Sequence, residues 1–351
     1  MTIQDIKSLC ISFTLSIVSL VLGSFSPGGA YAFFQKHDDP TLGAPTQEFH
    51  KEFLNAPMHN SELLDFLRPY KVVIIRGIFT NIYGGLSERV QAAGGPLPEG
   101  FGNPFYHEQK WLQDQDIDVV RADIHSEESS TSNGEVIAKI VRESDKKVIL
   151  VSHSKGGSDT LFGLVNNPEI HANVAGWLIL QAPIYGSPLV DCMVGCPFAN
   201  MATRFGFDIF QGNYDGLKEV TTESLKQYHR IHKTNIQQIL ETVPTLSMAS
   251  TFKTPGLLSF SPINKRSAFE VLNRFVKFVG GGENDGMSPI KNACLDGTEC
   301  VRLKNFDHGH LVVDLVPFKG HKTHTRRAIF STLLTMLKKR MINKISLENI
   351  L

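Results

Sequence analysis

The run VILVSHSKGGSD (148–159) sets an apolar stretch of β-formers against Ser152, Ser154, Gly156 and Gly157 before an apolar pattern resumes. A strand that ends in small-x-Ser-x-Gly and feeds straight into a helix is the setting of a nucleophile elbow. Only small residues fit around the serine of so tight a turn, and its hydroxyl is thrust out at the C-terminal edge of a sheet. Gly156 and Gly157 supply that smallness on the helix side, and Ser152 stands where glycine is commonest. A serine hydroxyl is a poor nucleophile until a neutral imidazole takes its proton, and a carboxylate must hold that imidazole in one tautomer. Downstream, NDGMSP (284–289) offers Asp285 and FDHGH (306–310) offers His308. His310 is an alternative base in the same loop, and Asp296 and Asp307 are alternative carboxylates.

Such groups need a frame. Strands are expected at 72–75, 118–122, 147–151, 174–180, 275–279 and 300–303, the first a short continuous apolar run that reads as a strand buried on both faces. Helices are expected at 61–67, at 133–141 with Asn133 as cap, after Ser154 through 161–165, within 224–240, and at 323–340. Strands alternating with amphipathic helices argue for an α/β chain with a mostly parallel central sheet flanked by helices. Between about 188 and 266 this rhythm is lost, so that segment is expected to be an inserted cap or lid. Ser154, Asp285 and His308 each follow an expected strand, on the edge of the sheet where ligands bind.

With these elements in place the chain resembles the α/β-hydrolases, and within them secreted bacterial lipase-like serine esterases. The likeness covers roughly residues 71–329, leaving out the cap, and rests on four separated motifs. SHSKGG is similar to the family's GHSxGG. Arg76-Gly77-Ile78-Phe79 is similar to the oxyanion loop HGxxG, with arginine for histidine and no second glycine in place. APIYGSPLVD (182–191) resembles the P-H-x-G-S-x-x-A-D segment of lipases, and NDGMSP resembles the loop that carries the family's acid. The order Ser154, Asp285, His308 is the one this fold demands. The resemblance implies Ser154 as nucleophile, His308 as base and Asp285 as its orienter. It places the oxyanion on the backbone N–H groups of Ile78 and Lys155, with no cofactor or metal required. It also favours His308 over His310, because Asp307-His308 is the more family-like pair.

Composition adds context. The chain has 351 residues with 35 Lys+Arg against 35 Asp+Glu, so nothing in its totals points to nucleic acid or another polyanion. Residues 1–32 read as a cleaved signal peptide. Lys7 gives the n-region, 9–25 is mostly apolar, and Ala30-Tyr31-Ala32 fits a cleavage site. The apolar run is short for a span, so no stable transmembrane segment is expected after cleavage, and residues 33–351 form one domain that is secreted or periplasmic. Cys10 would leave with the signal, and in that compartment the even set of four cysteines that remains suggests two local disulfides, Cys192 with Cys196 and Cys294 with Cys300.

Several residues carry plainer readings. Lys155 reads as a solvated side chain whose backbone does the work, and His153 as structural. Gly280-Gly281-Gly282 before Glu283 lacks a Walker ending or a calcium ladder and reads as an acid-bearing turn. His321 and His324 read as surface residues. Phe205, Phe207, Ile209, Phe210, Leu257, Leu258 and Phe260 would line an acyl pocket or pack the cap on the core. The partner these readings favour is a hydrophobic acyl ester, at a lipid or polymer interface. A polyester such as a polyhydroxyalkanoate, a thioester or an amide is the alternative substrate, and a noncatalytic envelope-binding protein on the same fold is the alternative class.

Overall fold

The computed structural model describes residues 47–55, 60–78, 100, 103–197, 200, 214–252, 268–313 and 321–348. The expected signal peptide and the cap residues Phe205, Phe207, Ile209, Phe210, Leu257, Leu258 and Phe260 lie outside the described residues.

Among the described residues six parallel strands form the sheet: β1 (Lys71–Ile75), β2 (Asp118–Arg121), β3 (Val148–His153), β4 (Val174–Leu180), β5 (Thr245–Thr251) and β6 (Glu299–Lys304). Their spatial order is β2-β1-β3-β4-β5-β6, with every pairing parallel. The order reverses between β1 and β3, the kind of switch point beside which open α/β sheets hold their ligands.

Successive residues of each strand go to opposite faces, and β1, β3 and β4, covered on both, are largely apolar. On one face Val72, Ile74, Ile149, Val151, Leu178 and Leu180 pack with Leu63, Leu64 and Leu67 of α2 (Ser61–Leu67), Phe49 of α1 (Gln47–Asn55) and Leu112 of α3 (Tyr106–Gln113). The last helix of the chain, α11 (His321–Glu348), adds Phe330, Leu333 and Leu337 to this face. On the other face Val73, Ile75, Val148, Leu150, Trp177 and Ile179 meet Ile137, Ala138 and Val141 of α4 (Ser130–Arg142) and Leu161 and Leu164 of α5 (Lys155–Asn166). Each such side chain taken wholly out of water contributes about 1.5–3 kcal/mol.

A third apolar cluster stands over the strands' C-terminal ends. It joins Leu189, Val190 and Met193 of α6 (Pro188–Gly195), Leu217 of α7 (Tyr214–Glu219), Leu225 of α8 (Thr222–Ile231) and Leu272, Phe275 and Val276 of α10 (Ala268–Phe278). Between α8 and α10 the chain leaves this layer. Helix α9 (Lys233–Thr242) sends Ile236 and Ile239 into the sheet core, and β5 then pairs between β4 and β6.

Three expectations are thereby corrected. The insertion expected over 188–266 is interrupted by α9 and β5, which belong to the sheet body. Residues 275–279, expected as a strand, lie mostly in α10: Phe275 and Val276 are buried while Phe278 and Val279 are exposed, the alternation of a helix face. Asn133 does not cap its helix; Ser129 does, its hydroxyl oxygen accepting from Ser132 N at 3.0 Å. Among the described residues no helix is long and apolar enough to cross a membrane.

Candidate active site

β3 delivers Ser154 on a sharp bend. Its backbone lies at φ 55° and ψ −134°, a region that costs a non-glycine residue about 1–3 kcal/mol and that persists only where neighbours enforce it. Three glycines do so by letting other chain segments close in. A Cβ on Gly77 would lie 2.5 Å from the Ser154 Cβ, one on Gly156 2.6 Å from the Arg76 carbonyl oxygen, and one on Gly157 2.3 Å from the Ala182 Cβ. The bend is therefore wedged between the segment after β1 and the segment after β4.

At the small position before the bend, Ser152 is fully buried. Its Oγ accepts from the Trp177 indole Nε1 at 2.8 Å and reaches the Leu178 carbonyl at 3.4 Å. Serine replaces the commoner glycine with a residue that satisfies a buried indole N–H.

Asp285 and His308 come to this point on loops preceding and following β6. His308 Nδ1 lies 2.8 Å from Asp285 Oδ2, and His308 Nε2 lies 2.8 Å from Ser154 Oγ. A carboxylate only accepts, so Nδ1 carries the ring proton and donates it to Asp285, which leaves the Nε2 lone pair to accept from the Ser154 hydroxyl. Asp285 is aimed by its own loop: Oδ1 accepts from the backbone N–H groups of Met287 and Ser288 at 2.9 and 2.7 Å. His308 N donates to the Asp285 carbonyl at 2.9 Å, fastening the two loops together. Ser154 and His308 are each 6% exposed and Asp285 1%, so the chain of three operates away from bulk water.

The alternative residues sit elsewhere. His310 Nδ1 pairs with Asp307 Oδ2 at 3.1 Å, and Asp307 Oδ1 accepts from Gly309 N and His310 N. Asp307 thus shapes the turn that presents His308. Asp296 lies on the turn enclosed by Cys294 and Cys300, where its N–H donates to the Tyr185 hydroxyl.

Two residues hold the loops in register, His153, read from the sequence as structural, and Gln181, which the sequence reading did not single out. His153 Nε2 lies 3.0 Å from the His308 carbonyl, to which it must donate, and its ring packs 4.8 Å from the His308 ring. Burial first, and His308 second, hold this imidazole well below the ordinary histidine range, so it stays neutral. Gln181, at φ 48°, gives its side-chain amide to Ser250 Oγ and to the Asp307 carbonyl, and its own carbonyl accepts from Ser288 Oγ. The residue after β4 therefore ties the acid loop to the histidine loop. The one sequence signal for it was its place at the C-terminal edge of a strand.

Ile78 and Lys155 flank the serine. Lys155 opens α5, and the first amides of a helix have no partner within it. Both residues line a cavity of about 20 Å³ beside Ser154, otherwise walled mainly by Pro183, Val190, Leu217, Val220 and Met287. The Lys155 side chain corrects the expectation of solvation. It is buried, with Nζ 2.7 Å from Asp159 Oδ1.

Cys294 and Cys300 are disulfide-bonded. No disulfide joins Cys192 to Cys196, which corrects that pairing; their sulfurs are 2.8 Å apart. Cys196 N makes the helical bond to the Cys192 carbonyl.

No family model and no curated protein matches this sequence. Solved structures do. Metagenomic carboxyl esterase MGS0156 is similar at a TM-score of 0.54 and 14% identity, over 77% of this chain and 76% of that one. Bacillus licheniformis lipase BlEst2 in its propeptide form is similar at a TM-score of 0.50 and 21% identity, over 69% of this chain and 46% of that one. At these identities the likeness speaks to architecture. Together with the parallel sheet, the strained serine after β3 and the acid and histidine loops around β6, it shows that the chain has the α/β-hydrolase fold.

Proposed function

We propose that the protein is an exported serine hydrolase that cleaves carboxylic esters. The observation that carries this reading is the unbroken chain from Ser154 Oγ through His308 to Asp285, two contacts of 2.8 Å each on a strained bend. In the reaction His308 Nε2 takes the hydroxyl proton as Ser154 Oγ attacks the ester carbonyl, and Asp285 stabilises the imidazolium that forms. The oxyanion falls to the amides of Ile78 and Lys155, where one well-aimed donor contributes about 2.7–4 kcal/mol to the barrier. His308 then protonates the departing alkoxide, and water, activated by the same imidazole, releases the acyl group from Ser154.

The apolar walls beside Ser154 support an acyl rather than a charged substrate. The fold shared with a carboxyl esterase and a lipase fits the same chemistry. Export rests on the N-terminal pattern of residues 1–32 and on the Cys294–Cys300 disulfide, since such bonds persist in oxidising compartments.

A fluorophosphonate probe followed by peptide mapping tests the assignment. Labelling is expected on Ser154, abolished in Ser154→Ala and retained in Ser152→Ala, with matching loss and retention of p-nitrophenyl ester turnover. Folded protein that neither labels nor turns over esters would instead be a noncatalytic binder. Activity confined to a polymer film or a thioester would reassign the substrate while leaving the residues in place.

A further inference from the structure

We infer that Lys155 and Asp159 form a positioning pair that holds the oxyanion-binding amide in place, an assignment that rests on the ester-hydrolase reading of Ser154. Lys155 follows the nucleophile directly and Asp159 lies one turn further along α5. Both are buried, at 3% and 1% exposure, and Nζ meets Oδ1 at 2.7 Å. The carboxylate accepts twice more: Oδ1 from Ser130 Oγ at 2.6 Å, and Oδ2 from Asn133 Nδ2 at 2.9 Å. Asn133 donates again, to the His125 carbonyl at 3.0 Å. One network thus runs from the residue after the nucleophile across to helix α4.

Stability alone does not account for this arrangement. A buried ion pair repays its desolvation only when geometry is excellent, and an apolar pair of similar volume is often as stable. What an apolar pair would not do is fix Lys155 in one orientation. The need for that is local, because Ser154 sits at a strained φ,ψ that its neighbours must enforce, and the next peptide carries the N–H that meets the oxyanion. An ammonium locked to Asp159, which is itself locked to Ser130 and Asn133, fastens the first turn of α5 at its start.

The test uses the full-length protein and the variants Lys155→Met, Asp159→Asn and the double Lys155→Met/Asp159→Leu. Active sites are counted by fluorophosphonate so that rates refer to competent molecules. Deleting an oxyanion donor costs about 10²–10³ in kcat, so a displaced donor is expected to cost about tenfold or more, with KM nearly unchanged. The double variant is expected to regain stability over the single variants without regaining kcat. Should a truncation fail to fold, Asp159→Glu keeps the charge while lengthening the side chain, and it is expected to show the same fall in kcat at constant KM. Values of kcat per labelled site within twofold of the wild type across these variants would overturn the inference and reduce the pair to a structural contact. Wild-type protein that neither labels nor hydrolyses would overturn the ester-hydrolase reading itself, and the inference with it.

Discussion

Ser152 Oγ stands 2.8 Å from the indole nitrogen of Trp177 on the neighbouring strand, both residues fully buried. The substituted position before the nucleophile bend is thus a hydrogen-bond acceptor for a side chain that otherwise has none. Ser152→Gly, which restores the commoner residue, should leave Trp177 Nε1–H unsatisfied and cost about 1–3 kcal/mol. Urea unfolding read by tryptophan fluorescence measures that loss, and fluorophosphonate labelling of Ser154 should persist.

The two histidines of the FDHGH loop separate cleanly by partner. His308 connects Ser154 to Asp285, whereas His310 is paired with Asp307. His308→Ala should lower kcat by about 10⁴ or more, and Asp285→Asn by about 10⁴ through the wrong tautomer. His310→Ala should keep kcat within about tenfold, since it loses only a brace for the turn. Steady-state hydrolysis of one p-nitrophenyl ester by the three variants decides the order, and full activity in His308→Ala would remove it from the reaction.

How far the molecule could be read from its letters depends on where each residue's partners lie. The bend at Ser154 was legible because its determinants are local: a strand of Val, Ile and Leu, then two glycines that the packing requires. β5 was hidden because TLSMAST looks half polar. Its hydroxyls find partners distant in sequence, Ser250 Oγ donating to the Phe306 carbonyl and Ser247 Oγ meeting Thr298 Oγ1. α10 resembles a strand in sequence because Phe275, Val276, Phe278 and Val279 form an apolar run whose period is decided only by what covers Phe275 and Val276. For Lys155 the sequence does carry a signal of burial in an ion pair, an aspartate four residues on along one helix.

The glycines after the nucleophile make a sharp contrast with one nearby. A methyl at Gly156 would meet two backbone carbonyl oxygens, of Arg76 at 2.6 Å and Ile75 at 2.7 Å, neither of which can turn aside. At Gly195 a methyl would meet nothing within 4 Å. Gly156→Ala should cost about 1–3 kcal/mol or more from overpacking and slow the labelling of Ser154 by displacing the bend. Gly195→Ala, at the end of a helix, should be neutral or stabilise by about 0.5–1 kcal/mol. Thermal unfolding of the two variants side by side checks both signs.

His153 makes stability depend on pH in a defined direction. Because burial and His308 keep its folded-state pKa well below the usual value, the unfolded chain takes up a proton below about pH 6.5 that the folded protein refuses. The contribution is therefore complete above the unfolded pKa and is lost as pH falls toward the folded one, by up to about 1.4 kcal/mol per pH unit. His229 is also held low by burial, so the test is a difference. His153→Gln should be destabilised at pH 7.5 yet lose less stability between pH 6.5 and 5 than the wild type. Parallel urea midpoints across that interval would count against the account.

The cavity beside Ser154 sets the remaining expectation. At about 20 Å³ it has room for little more than one water, and its walls Val190, Leu217, Val220 and Met287 are apolar side chains from the layer over the sheet and from the acid loop. A short acyl group displaces the fewest of these contacts, so kcat/KM on p-nitrophenyl esters should fall from acetate and butyrate to octanoate and palmitate. Leu217 and Val220 come from the covering layer and form no part of the Ser154–His308–Asp285 chain, so trimming them should enlarge the acyl space while leaving the reacting groups in place. Leu217→Ala should cost about 2–5 kcal/mol of stability, as core truncations do. It should also shift the octanoate-to-acetate ratio toward octanoate by about tenfold, the scale on which a pocket discriminates a methylene or two. A ratio unchanged in both Leu217→Ala and Val220→Ala, with labelling of Ser154 intact, would show that the acyl chain leaves the serine by another route.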